Sequence, residues 1–138
     1  MKPNRRNRAE FLQRVGELAD KLPTGRVDPR AWQKLDKELD ELLECLEKKD
    51  TPGALLEAAD CLYYAAKIYF NSPPGGKPGI KAFFEFGESL DEIAEMSGFS
   101  RRTVMDACII KYTLRAQPGN PKNHENEVAA IRHLLEVE

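Results

Sequence analysis

The sequence predicts an all-α domain, and three observations carry that reading. Apolar residues recur at three- and four-residue spacing along most of the 138 residues. No segment sustains the alternation of apolar and polar residues that marks a half-buried strand. Clusters of Pro, Gly, Asn and Ser then cut the periodic stretches into pieces of helical length. The length suits one domain, residues 1–138.

Residues 1–7 (MKPNRRN) are basic and lack an apolar stretch, so they read as a solvated, flexible tail and not as a signal peptide. Over 8–22, Phe11, Leu12, Val15, Leu18, Ala19 and Leu22 repeat at helical spacing until Pro23-Thr24-Gly25. Asp28 suits an N-cap and Pro29 the first helical position. The helix they open has a core face of Trp32, Leu35, Leu39, Leu42, Leu43 and Leu46. A short connection through Lys48–Asp50 and Thr51-Pro52-Gly53 predicts that the next helix packs antiparallel to it.

That next stretch, LLEAADCLYYAAKIYF (55–70), is apolar nearly all round, the pattern of a buried helix. Asn71-Ser72-Pro73-Pro74-Gly75-Gly76 ends it. Residues 77–87 hold three of the six phenylalanines and take no clear secondary structure from their pattern. Helices follow over 90–97 and 101–116, then a loop over 117–123 and a last helix over 125–136.

Within the buried stretch the charged residues are Glu57, Asp60 and Lys67. At about 100° per residue, these three and Tyr64 lie along one stripe. Carboxylates are almost never buried unless they are paired or hold a metal. The preceding helix carries Glu38 and Glu41 along the edge of its core face, so an antiparallel hairpin brings two acidic pairs to one side. Oxygen ligands without His or Cys suit Mg²⁺, with Mn²⁺ as the alternative.

ELDE (38–41) followed by EAAD (57–60) resembles the Glu-x-x-Glu, Glu-x-x-Asp signature of the MazG-like all-α nucleoside triphosphate pyrophosphohydrolases, relatives of the dimeric dUTPases and phosphoribosyl-ATP pyrophosphohydrolases. ADCLYYAAK resembles that family's second helix, and KYTLR (111–115) its basic helix, with Lys111 and Arg115 on one face. The resemblance spans residues 30–71 and, in part, 100–123. It implies an antiparallel helical bundle assembled as a homodimer or homotetramer. It also implies Mg²⁺-dependent hydrolysis of a (deoxy)nucleoside triphosphate to NMP and pyrophosphate. Glu38, Glu41, Glu57 and Asp60 would hold one to three metal ions, and Glu38 or Glu41 would accept the proton of the attacking water. Lys111 and Arg115 would contact phosphates, with Lys67 and Lys122 as further candidates. Where family members often carry a basic residue one turn before the second acidic pair, this chain has Gly53. Trp32, Tyr63, Tyr64 and Tyr69 read as core, and no residue is assigned to a nucleobase.

A rival reading lies in SLDEIAEMSGFSRRTVMDACII (89–110), which has the look of a helix-turn-helix with Gly98 in the turn and Ser100 capping a second helix. Arg101 and Arg102 are the only basic residues at the start of that helix, and Asp91, Glu92 and Glu95 flank it. A net charge of −2 also lacks the basic face that phosphate contacts need, so nucleic acid is not the expected partner. Cys45, Cys61 and Cys108 are odd in number and set among apolar residues, which suits free thiols in a reducing cytoplasm. No run is long enough to span a membrane. The all-round apolar helix and Phe83, Phe84 and Phe86 together predict an oligomer.

Overall fold

In the computed structural model the described residues are 9, 10, 13, 29–70, 80–119 and 123–137. Five helices dominate them: α1 (Pro29–Glu47), α2 (Thr51–Phe70), α3 (Ile80–Ser97), α4 (Arg101–Ala116) and α5 (His124–Val137). No strand occurs among the described residues, as the periodicity requires. Of the helix expected over 8–22, only Ala9, Glu10 and Gln13 are described, and all three are helical. The 1–7 tail lies outside the described residues.

α2 is the central element and packs against each of the other four helices. Its composition explains this place. Ala58, Cys61, Leu62, Ala65 and Ile68 join Leu35, Leu39 and Leu42 of α1 and Leu90, Ile93 and Met96 of α3 in one buried cluster. Leu55, Leu56 and Ala59, on another side, join Ala107 of α4 and Ile131 and Leu134 of α5. Each such Leu or Ile contributes about 1.5–3 kcal/mol on burial, so a helix apolar on two sides is held only between layers. The Ser89 hydroxyl donates to Tyr69 Oη at 2.8 Å, tying α3 to α2 through two buried polar groups.

The α1–α2 turn is tight. Lys49 adopts φ 58°, its N–H donates to Leu46 O at 3.2 Å, and the Asp50 N–H donates to Cys45 O at 2.9 Å. Those two bonds satisfy the last carbonyls of α1 and reverse the chain, although the left-handed position is usually given to Gly. Asp50 then caps α2: its Oδ1 accepts the Gly53 N–H at 3.1 Å, and its carbonyl accepts the Ala54 N–H at 2.8 Å. The cap starts α2 at Thr51, four residues before the apolar run from which a helix is expected.

A second difference concerns residues 80–97. The 77–87 stretch is ambiguous from its pattern and a helix is expected from 90, yet α3 begins at Ile80 and runs unbroken through Gly87. A helical Gly costs about 1 kcal/mol against Ala. Burial of Ser89, Leu90, Ile93, Ala94 and Met96 on the same helix outweighs that cost. Gly98 (φ 81°) turns the chain into α4, where Ser100 Oγ accepts the Thr103 N–H at 3.1 Å. Asn123 likewise begins α5, its Oδ1 accepting the Asn126 N–H at 3.2 Å.

Candidate metal centre

Antiparallel packing of α1 on α2 brings three of the four expected acids together. One carboxylate oxygen from each of Glu38, Glu41 and Glu57 lies within 4.8 Å of the others. All three side chains are half-buried, and Oε2 of Glu38 and Oε2 of Glu57 are buried with no hydrogen-bond partner. Buried acceptors left unpaired are costly, and native proteins rarely keep them. Burial, and then the neighbouring Glu38 carboxylate, push the Glu57 carboxyl up to about 10. Burial likewise raises Glu38, reinforced by the charges of Asp60 and Glu41. Three acids packed this way retain a proton at neutral pH unless a cation displaces it. Oxygen donors alone, two of them orphaned, fit a hard divalent ion such as Mg²⁺ or Mn²⁺.

Asp60 follows Glu57 by three residues but faces α4. Its Oδ2 accepts from Lys111 Nζ and its Oδ1 from the Tyr112 hydroxyl, each at 2.7 Å. Asp60 and Lys111 are both buried. The fourth acid is therefore held beside the cluster, close enough for its charge to raise Glu38 and Glu57. Lys111, expected on phosphate, has its ammonium in the core on Asp60. Burial, and then the Asp60 charge, raise the Tyr112 phenol.

The remaining basic candidates gather around a tyrosine pair. Tyr63 and Tyr112 stack with centroids 4.0 Å apart. Lys67 Nζ sits 4.7 Å from the Tyr63 ring centre and the Arg115 guanidinium 5.1 Å from that of Tyr112. Arg115 Nε also donates to Glu127 Oε1 at 2.7 Å. Lys67 is exposed and Arg115 half-buried. Lys122 lies outside the described residues, as does the side chain of Trp32. Sequence reasoning passed over Tyr112 and Glu127. The signal for Glu127 was present, since it stands four residues before Ile131 and seven before Leu134, on the buried face of α5.

Toward the α1–α2 turn, burial first and the Glu57 charge second push the Cys45 thiol up to about 11. Gly53 has a structural role there, because a Cβ at this position would collide with the Asp50 carboxylate that caps α2. A side chain at 53 would require the Asp50 carboxylate to shift from this position. Cys45, Cys61 and Cys108 are all free thiols.

At the α3–α4 corner the arginines are engaged locally. Arg101 Nε lies 3.0 Å from Asp91 Oδ1, and Arg102 Nε lies 3.6 Å from Asp106 Oδ2. No helix among the described residues is long and apolar enough to cross a membrane. Compared with protein-family models, curated proteins and solved structures, the chain matches none.

Proposed function

We propose that this chain is a nucleoside triphosphate pyrophosphohydrolase of the MazG-like type, which uses Mg²⁺ or Mn²⁺ to release pyrophosphate and leave an NMP. One observation carries the reading: three carboxylates converge between α1 and α2 with two buried oxygens unpartnered. Such a site is poorly accounted for as scaffold, because three mutually repelling acids weaken the metal-free fold.

Glu38, Glu41 and Glu57 would hold the metal. When bound, the metal acidifies a neighbouring water and offsets the charge on the triphosphate. Glu38 or Glu41 takes the proton from the attacking water as its oxygen bonds to the α-phosphorus and the α–β bridge breaks. Asp60 retains free lone pairs on both oxygens, so it either completes the ligand set or orients its neighbours from behind. Lys111 and Tyr112 fix its direction. Arg115 and Lys67, at the tyrosine stack, would supply the cations that the triphosphate charge needs. The unit works as a homodimer or homotetramer, a reading supported by Phe84 and Ile109, which are 73% and 61% exposed.

The helix-turn-helix alternative has the capped corner in its favour. The pairing of Arg101 and Arg102 with acids on their own surface weighs against phosphate contacts there.

The test is a panel of canonical and modified ribo- and deoxynucleoside triphosphates with Mg²⁺, read as pyrophosphate release. Release from at least one substrate, abolished by EDTA, is expected. Orthophosphate release instead, or full turnover in EDTA, would overturn the assignment.

A further inference from the structure

Beyond Glu41 and Glu57, toward the α1–α2 turn, α1 and α2 carry further residues on the same two helix faces. Cys45 follows Glu41 by four residues and Ala54 precedes Glu57 by three. At about 1.5 Å per residue these positions lie one helical turn further along. There the structure opens a cavity of about 230 Å³. Cys45 and Leu46 of α1, Ala54 of α2 and Phe99 of the α3–α4 corner line it, with exposed Lys49 and Thr51 also in its wall.

The lining mixes apolar and polar groups, and Asp50, Ser97 and Gly98 complete it. Leu46, Ala54 and the half-buried Phe99 ring offer apolar surface and a stacking partner, while Lys49 and Thr51 bring an ammonium and a hydroxyl. Sites for drug-sized ligands usually enclose about 300–1,000 Å³. This cavity is smaller and holds one flat ring system without its sugar. A ring inserted here would leave its attached ribose to bridge the single helical turn to the carboxylates.

We propose that this cavity receives the heteroaromatic base of the substrate, an assignment that rests on the triphosphate reading of the acid cluster. The base then lies against Phe99 at the α1–α2 turn, with the α-phosphate next to Glu38, Glu41 and Glu57. The β- and γ-phosphates extend past Asp60 toward Lys67 and Arg115. This polarity explains why the α–β bond is the one presented to the acids.

The test compares Mg²⁺-dependent binding of the common nucleoside triphosphates with that of inorganic tripolyphosphate, which carries the charge but no base. Calorimetry is run on the full chain and on two variants. Thr51→Phe places a ring at an exposed position of the cavity wall and leaves the core untouched. Cys45→Phe fills the interior, with circular dichroism reporting whether it folds. Wild type should bind at least one nucleotide about ten-fold more tightly than tripolyphosphate, a difference of about 1.4 kcal/mol. Thr51→Phe should erase that preference and leave tripolyphosphate binding within about two-fold, within the scatter of a surface substitution. Equal binding of nucleotide and tripolyphosphate by wild type, or an unchanged preference in Thr51→Phe, overturns the base site. Loss of Mg²⁺ dependence for both ligands overturns the acid-cluster reading as well. Failure of the base site alone leaves metal-dependent tripolyphosphate binding intact.

Discussion

Lys111 Nζ lies 2.7 Å from Asp60 Oδ2, with the two side chains only 4% and 10% exposed. This pair joins α2 to α4 across the core, one turn from the acid cluster. Its net contribution is small, because removing two charges from water offsets much of their attraction. Its asymmetry is large: either partner left alone is a buried charge without compensation.

Lys111→Met should therefore lower the unfolding free energy by about 3–5 kcal/mol, the usual loss when one half of a buried pair is removed. Adding Asp60→Asn neutralises the remaining charge and keeps an acceptor for Tyr112, so at least half of the loss should return. Urea denaturation of the two single variants and the double variant measures this coupling. Additive losses would show that the two charges do not compensate each other.

Glu57→Gln should separate stability from activity. Removing one of three repelling carboxylates should leave the metal-free protein as stable as wild type or more so, while Mg²⁺ affinity and pyrophosphate release are lost. Asp60→Asn should also abolish turnover but, unlike Glu57→Gln, it strands the buried Lys111 ammonium and should lower stability as well. A Glu57→Gln variant that turns over normally removes Glu57 from the site.

The raised Glu57 carboxyl sets a pH dependence for the metal-free protein. From the ordinary carboxyl value of 4.5 up to about 10, the folded chain holds a proton that the unfolded chain has released. Stability must then fall as pH rises through this window. Tm without metal should be lower at pH 8.5 than at pH 6, and Glu57→Gln should flatten the trend. Saturating Mg²⁺ should stabilise more at the higher pH, and its binding should release about one proton. Calorimetry in two buffers of different ionisation enthalpy reads that proton directly. A metal-free Tm that climbs across this range, unaltered by Glu57→Gln, contradicts the assignment.

Arg115→Ala should reduce kcat/KM by about 10- to 200-fold if the guanidinium contacts phosphate, matching a charge-assisted bond worth about 1.5–3 kcal/mol. Arg115→Lys should restore only part, since an ammonium lacks the planar fork. Because Arg115 also pairs with buried Glu127, a stability loss must be separated from a catalytic one. Glu127→Gln keeps the guanidinium, and its kcat/KM should stay close to wild type. If Arg115→Ala alters stability alone, the residue is scaffold for α5.

Lys49→Gly should stabilise the fold by about 1 kcal/mol. A side chain at φ 58° bears a steric cost of about 1–2 kcal/mol that Gly avoids, partly offset by the greater freedom of Gly when unfolded. Thermal unfolding at pH 7 is sufficient to measure it. An unchanged or lower Tm means that the Lys49 side chain makes a compensating contribution in the native state.

Sequence by itself determined the helical class, the antiparallel hairpin and the pairing of acidic stripes on α1 and α2. Those features are local: a 3.6-residue period sets which positions share a face, and a short connection sets direction. Glu38, Glu41 and Glu57 were legible for that reason, since one hairpin is enough to bring them together. The start of α3 at Ile80 was not, because the pattern over 77–87 is ambiguous and the helix is anchored by the packing of Leu90, Ile93 and Met96 on α2. The division between three clustered acids and a fourth tied to Lys111 was equally hidden. A helical wheel places Asp60 beside Glu57, but which neighbour an acid meets depends on the helix packed across from it, here 51 residues away in the chain. Spacing along one helix selects a face, and tertiary packing selects the partner. The cavity at Cys45, Ala54 and Phe99 belongs to that second kind of fact, since its walls come from α1, α2 and the α3–α4 corner and exist only once the three are packed.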